Sequence, residues 1–133
     1  MYHDLMKIRK ALETLARDNS GILKNFPKGC CGYSSNLIAT YLEEKEWGEF
    51  NYIEARKKQS FDSHAWILSK EGYVIDLTAD QFGLEPIIYT QYQHPLSDQF
   101  PIQQNNGSAN IFKGPRLDNS YYFDYEKMIG IVE

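Results

Sequence analysis

Two adjacent cysteines follow a Pro/Gly turn in the segment FPKGCCGYSSNLIATYL, residues 26–42. The apolar spacing of Leu37, Ile38 and Leu42 predicts an amphipathic helix that begins near Cys31 and is buried along one stripe. Unpaired backbone N–H groups and the positive end of the helix dipole stabilise an anion at that position. The segment therefore predicts a reactive thiolate on a rigid helix.

A base and a carboxylate follow further along the chain. His64 lies in the extended segment SHAWIL, and Asp76 lies in the next extended segment, YVIDLT. The imidazole can accept the thiol proton of Cys31, and the carboxylate can hold the imidazole in the required tautomer. A structural cysteine, a core histidine and a turn-capping aspartate are the alternative interpretation of the same three residues.

The two cysteines are not equivalent in this arrangement. A disulfide between neighbouring residues strains the peptide that joins them, and the chain has no further cysteine. We therefore expect reduced thiols and a cytoplasmic protein. Cys31 is the preferred nucleophile because it occupies the first helical turn, and Cys30 is expected to pack or to act as a resolving thiol.

The elements that position these residues can be predicted from periodicity. A helix is expected over residues 2–18, with a stop at Asn19, Ser20 and Gly21. Antiparallel strands are expected at 51–55, 63–68, 73–78 and 86–90, with a turn at 70–72. Residues 91–118 are rich in Pro, Asn and Gly, which predicts long loops with a short strand near 111–112. The last thirteen residues fit a helix or a strand.

Composition limits the function classes. The chain has 133 residues and a formal net charge of −4, which disfavours nucleic-acid binding. We expect one domain over residues 1–133, without an apolar run long enough for a membrane helix and without a signal peptide. His3 and His94 are expected at the surface.

The segments at 26–42 and 63–82 resemble small bacterial papain-like and transglutaminase-like cysteine enzymes. In these enzymes a P-x-G-x-C-G-x-x-S helix start is followed by an H-A-W strand and an I-D-L-T-x-x-Q-F strand. Gly32 stands where the papain signature has tryptophan or tyrosine. The resemblance implies an α+β fold with a papain-like/transglutaminase-like core, in which N-terminal helices pack on a small antiparallel β-sheet.

The resemblance also implies roles for individual residues. Carried over residue by residue, it makes Cys31 the nucleophile, His64 the base and Asp76 the orienting acid. Asn25 and Gln81 are candidates for an amide that stabilises an oxyanion, although each also fits an ordinary loop position. Trp66 is a candidate substrate wall or a core residue. These six positions, Cys31, His64, Asp76, Asn25, Gln81 and Trp66, form the predicted site.

The expected activity is thiol-dependent cleavage or transfer at an amide bond of a protein or peptide substrate. Cysteine peptidase, glutamine deamidase and transglutaminase share the acyl-enzyme step, and a non-catalytic binding module on the same fold is the alternative. Family analogy adds a bacterial effector or toxin, delivery into a target cell, and an inhibitor or immunity protein as partner. No cofactor is expected. A zinc site from Cys30, Cys31 and His64 lacks the usual ligand spacing.

Overall fold

A computed structural model of the chain describes residues 1–18 and 21–133. This part contains three α-helices and a five-stranded antiparallel sheet, which confirms the predicted α+β class. The helices are α1 (Tyr2–Arg17), α2 (Cys31–Glu44) and α3 (Asn119–Val132), and the strands are β1 (Phe50–Arg56), β2 (Ser63–Ser69), β3 (Tyr73–Asp76), β4 (Ile88–Gln91) and β5 (Ile102–Ser108). Two short 3-10 helices, Gly21–Asn25 and Ala79–Phe82, precede α2 and β4.

Helix α1 forms because its apolar residues recur every three or four positions. Leu5, Ile8, Leu12 and Leu15 are buried on one side of the helix. The helix ends at Arg17. Of the stop predicted at 19–21, residues 19 and 20 lie outside the described residues, and Gly21 begins the first 3-10 helix.

The sheet has the order β4-β3-β2-β1-β5, and every neighbouring pair is antiparallel. The β2–β3 hairpin closes where predicted, at a turn in which Gly72 takes a φ of +92° that side chains disfavour. In its register Ile67 faces Ile75 and Leu68 faces Val74. The predicted strands at 51–55 and 63–68 are confirmed, the strand predicted at 73–78 ends two residues earlier at Asp76, and the fourth is shifted slightly to β4.

The two faces of the sheet carry different cores, because successive residues of a strand point to opposite sides. Ile67 and Ile75 pack with the helices in the main core. Trp66 and Val74 belong to a second apolar cluster, which the loop after β4 completes with Leu96 and Phe100. Helix α2 packs on β1 and β2, and α1 packs on α3.

The prediction for residues 91–118 was wrong in part. β5 (Ile102–Ser108) pairs with β1 in this region, whereas Ile111 and Phe112 lie in a turn. The strand escaped prediction because its sequence, IQQNNGS, has no apolar alternation and its side chains are mostly exposed. The backbone pairing with β1 holds it at the edge of the sheet instead. The chain terminus, which the sequence left open, is helix α3, capped by Asp118 through the Ser120 N–H.

Candidate active site

The Cys31 thiol lies at the first residue of α2 and is half-buried. The first backbone bond of the helix runs from the Ser34 N–H to the Cys30 carbonyl, at 2.9 Å. The N–H groups of Cys31, Gly32 and Tyr33 therefore have no acceptor within the helix. Because no side chain in residues 1–18 or 21–133 caps this terminus, the sulfur stands beside unpaired donors and the positive end of the dipole.

Cys30 occupies a different environment one residue earlier. Its side chain is only 3% exposed. Burial raises the pKa of its thiol to about 12, with a further contribution from the charge of Cys31 and a small opposing one from Arg9. Cys30 is therefore a protonated packing residue at neutral pH, and Cys31 is the accessible sulfur.

His64 and Asp76 form a direct hydrogen bond within the sheet. The distance from His64 Nε2 to Asp76 Oδ2 is 2.6 Å, and their side chains are almost fully buried. Continuing the β2–β3 register places Asp76 opposite Trp66 and diagonal to His64, which is within reach for an imidazole. The tertiary structure thus brings two of the predicted site residues into contact.

Asp76 accepts four hydrogen bonds in this position. Oδ2 accepts from His64 and also from His94 Nε2, at 2.8 Å. Oδ1 accepts from the Thr78 N–H at 2.8 Å and from the Thr78 hydroxyl at 3.1 Å. Burial alone would raise the pKa of this carboxyl, but the hydrogen bonds from the two histidines and Thr78 outweigh burial and hold the pKa well below its usual range. Asp76 is a fixed anion.

His94 is not at the surface, and this prediction was wrong. The residue is only 2% exposed, and its ring stacks against Trp66 with a centroid distance of 4.3 Å. The Leu96 N–H donates to His94 Nδ1 at 2.9 Å, so Nδ1 carries no proton and Nε2 must donate to Asp76. The loop after β4 folds onto the apolar face of the sheet, and this contact carries His94 inward. Its place beside Pro95 in a polar segment gave no signal of this.

The tautomer of His64 follows from its hydrogen bond to Asp76. Because Nε2 donates to Asp76, Nδ1 is the atom free to accept a proton. Nδ1 is buried and has no well-formed hydrogen bond within the described chain. Burial opposes a charged imidazole, but the hydrogen bond to Asp76 and the nearby Cys31 thiol outweigh burial and raise the pKa of His64 to about 9. Cys31 is therefore the neighbour toward which this base is directed.

Aromatic rings enclose His64. The ring centroids of Phe82, Trp66 and Phe100 lie 4.7, 5.9 and 6.0 Å from that of the imidazole. Such a wall keeps water away and strengthens the electrostatic interactions of His64. Since His64 and Asp76 are buried and Cys31 is half-buried, a substrate must approach from the side of the sulfur.

The three remaining predicted site residues are Asn25, Gln81 and Trp66. None of them presents a free polar or aromatic group to the Cys31 sulfur. Asn25 ends the first 3-10 helix with an exposed side chain. The Gln81 amide donates to the Thr78 carbonyl at 3.1 Å. Trp66 is 2% exposed and packs on His94, so its ring is part of the core and cannot form a substrate wall.

His64, Asp76 and His94 also have the residue types of a metal site. Their donor atoms lie within 4.8 Å of one another, the only such group in residues 1–18 and 21–133, so the predicted alternative with both cysteines does not form there. The two imidazoles contact one carboxylate oxygen at 2.6 and 2.8 Å. Tetrahedral ligands at zinc stand about 3.3 Å apart, at bond lengths of about 2.0–2.1 Å. The group is arranged for hydrogen bonding.

Comparisons with protein-family models, with curated proteins and with solved structures found no significant match to this chain.

Among the described residues, no helix is both long and apolar enough to cross a membrane.

Proposed function

We propose that the chain is a thiol-dependent hydrolase or acyl transferase that acts on an amide bond through Cys31, His64 and Asp76. One observation carries the proposal: the anionic Asp76 holds His64 by Nε2 and leaves Nδ1 facing the helix terminus that bears Cys31. The order helix, histidine strand, aspartate strand supports a papain-like/transglutaminase-like core. A bacterial effector setting with an inhibitor partner rests on the sequence resemblance alone.

The reaction follows from the roles of these groups. Nδ1 of His64 takes the thiol proton, and the Cys31 sulfur bonds to the carbonyl carbon while the carbonyl π electrons move to oxygen. Collapse of this intermediate re-forms the carbonyl and breaks the C–N bond, and the amine leaves with the proton from His64. Water then resolves the thioester in a peptidase or deamidase, and a second amine resolves it in a transglutaminase. Asp76 stabilises the imidazolium throughout.

Alkylation by iodoacetamide tests the nucleophile without a known substrate. Mass spectrometry should find Cys31 modified rapidly and Cys30 hardly at all. His64→Ala should slow the modification at least about tenfold, because the base is lost. His3→Ala is the matched control, since His3 is an exposed histidine of α1, and it should leave the rate unchanged. Equal, slow labelling of both cysteines would refute the proposal.

The reaction class requires a substrate. Cys31→Ala incubated with cell lysate should retain a protein that wild type releases modified. A one-dalton mass increase in that protein indicates deamidation, a shorter fragment indicates peptidase activity, and incorporation of an added amine indicates transfer. A retained protein that wild type leaves unaltered would favour the non-catalytic binding module.

A further inference from the structure

The Tyr52 hydroxyl lies directly against Gly32, the residue that follows the nucleophile. A Cβ atom at position 32 would overlap the Tyr52 hydroxyl oxygen and would stand 3.3 Å from Cζ of the same ring. A larger residue at position 32 would therefore have to displace the Tyr52 ring; the φ of Gly32 is not in the left-handed region, so space is the only constraint there. The close approach brings a phenol from β1 to the terminus that carries Cys31.

This hydroxyl makes no hydrogen bond with any residue in 1–18 or 21–133. Tyr52 is partly buried, and three other tyrosines that pack in or on the main core each donate a hydrogen bond to the protein. Tyr33 donates to Asp124 at 2.6 Å, Tyr125 to Glu44 at 2.9 Å, and Tyr122 to the Ile111 carbonyl at 3.3 Å. Tyr52 thus holds an unused donor beside the reactive sulfur.

The hydroxyl also keeps its proton. Burial raises the pKa of Tyr52 to about 12, and the charges of Cys31 and Glu54 add to the effect. At neutral pH the group is a donor whose hydrogen is free for an acceptor that arrives with the substrate.

We propose that Tyr52 is a catalytic residue that donates a hydrogen bond to the oxyanion formed when Cys31 attacks a carbonyl. The inference rests on the proposed function and adds a specific group to it. When the C–S bond forms, the carbonyl π electrons move to oxygen, and the Tyr52 O–H and an unpaired N–H of the α2 terminus stabilise that charge without transferring a proton. When the intermediate collapses, the electron pair on the oxyanion re-forms the carbonyl double bond, and the leaving group departs with the electron pair of the bond that breaks.

Two reactions of the same thiol separate this role from a structural one. Iodoacetamide alkylates Cys31 by displacing iodide, and no oxyanion forms. p-Nitrophenyl acetate acylates Cys31 through a tetrahedral oxyanion and releases p-nitrophenolate. Tyr52→Phe should slow acylation about 10- to 100-fold, because one oxyanion donor is lost and the backbone donors remain. The alkylation rate should change less than about twofold. Tyr89→Phe, an exposed tyrosine of β4, is the matched control and should change neither rate.

Each outcome bears on a different claim. If Tyr52→Phe changes neither rate, or slows both equally, Tyr52 is not an oxyanion donor and the inference fails while the proposed function stands. If wild type is alkylated no faster at Cys31 than at Cys30 and is not acylated by the ester, the proposed function itself fails.

The packing on which the inference rests can be tested without activity. Gly32→Ala should lower the melting temperature, because the new methyl group meets the Tyr52 hydroxyl. Tyr52→Phe in the same chain should recover part of that loss, since the overlapping oxygen is gone. If Tyr52→Phe changes the melting temperature equally in wild type and in Gly32→Ala, the new methyl group does not meet the hydroxyl and the inference is overturned.

Discussion

Replacing Asp76 by asparagine tests the centre of the candidate site with an almost isosteric change. The carboxylate accepts four hydrogen bonds, two on each oxygen. An amide has one acceptor oxygen, and its nitrogen is a donor. His94 cannot accept from that nitrogen through Nε2, because its Nδ1 already accepts the Leu96 N–H. The amide oxygen must therefore face the histidines, and the amide nitrogen must face Thr78.

The magnitude follows from this orientation. Two hydrogen bonds to the histidines change from charge-assisted to neutral, and the Thr78 N–H is left opposite a donor. Hydrogen bonds to charged groups contribute about 1.5–3 kcal/mol each and neutral ones about 1 kcal/mol, so we expect a loss of about 2–4 kcal/mol in the free energy of unfolding. His64 also loses the charge that raises its pKa, and alkylation of Cys31 should slow at least about tenfold.

Urea unfolding at pH 7 measures the free energy of unfolding, and the rate of reaction with iodoacetamide measures the reactivity of Cys31. Asp62→Asn is the control, since Asp62 is an exposed carboxylate paired with Lys57, and it should stay within about 0.5 kcal/mol of wild type. If Asp76→Asn also unfolds within about 0.5 kcal/mol of wild type and keeps the wild-type alkylation rate, the hydrogen-bond network described here does not exist in solution.

Three further predictions concern His94, His64 and Arg9. His94→Leu should lower the free energy of unfolding, measured in urea, by about 2–3 kcal/mol, because Asp76 loses a charge-assisted hydrogen bond. It should slow alkylation of Cys31 less than His64→Ala does, and a stability equal to that of wild type would contradict the burial of His94. The pKa of His64 is raised from 6.5 to about 9, so the contribution of protonated His64 to the free energy of unfolding, up to about 3 kcal/mol, is complete below pH 6.5 and is lost as the pH rises through 9. Urea unfolding at a series of pH values should show this loss, and His64→Ala should remove it. Arg9→Met should cost about 2–4 kcal/mol, since the guanidinium that pairs with Asp80 is largely buried, and a neutral result in urea would refute that pairing.

An element could be predicted from the sequence where one of its faces is buried, because a buried face requires apolar residues at regular spacing. Helices α1 and α2 and strands β1 to β3 were predicted because their apolar residues repeat with the period of the element. β5 has no such repeat, since it lies at an edge with exposed side chains and is held by backbone bonds to β1. The C-terminal helix fitted either element until its packing against α1 and α2 was known.

In the candidate site, too, some residues could be predicted from the sequence and others could not. Cys31, His64 and Asp76 are recognisable in the sequence because their types suit the chemistry and each lies at a predictable place in a helix or strand. Their assembly is a tertiary property, since the register of the β2–β3 hairpin and the docking of α2 decide the distances. His94 and Tyr52 could not be found in advance, because a loop and a glycine contact bring them there and no local pattern encodes either. The chain alone determined which groups could react, and the packing of loop and sheet decided which of them meet.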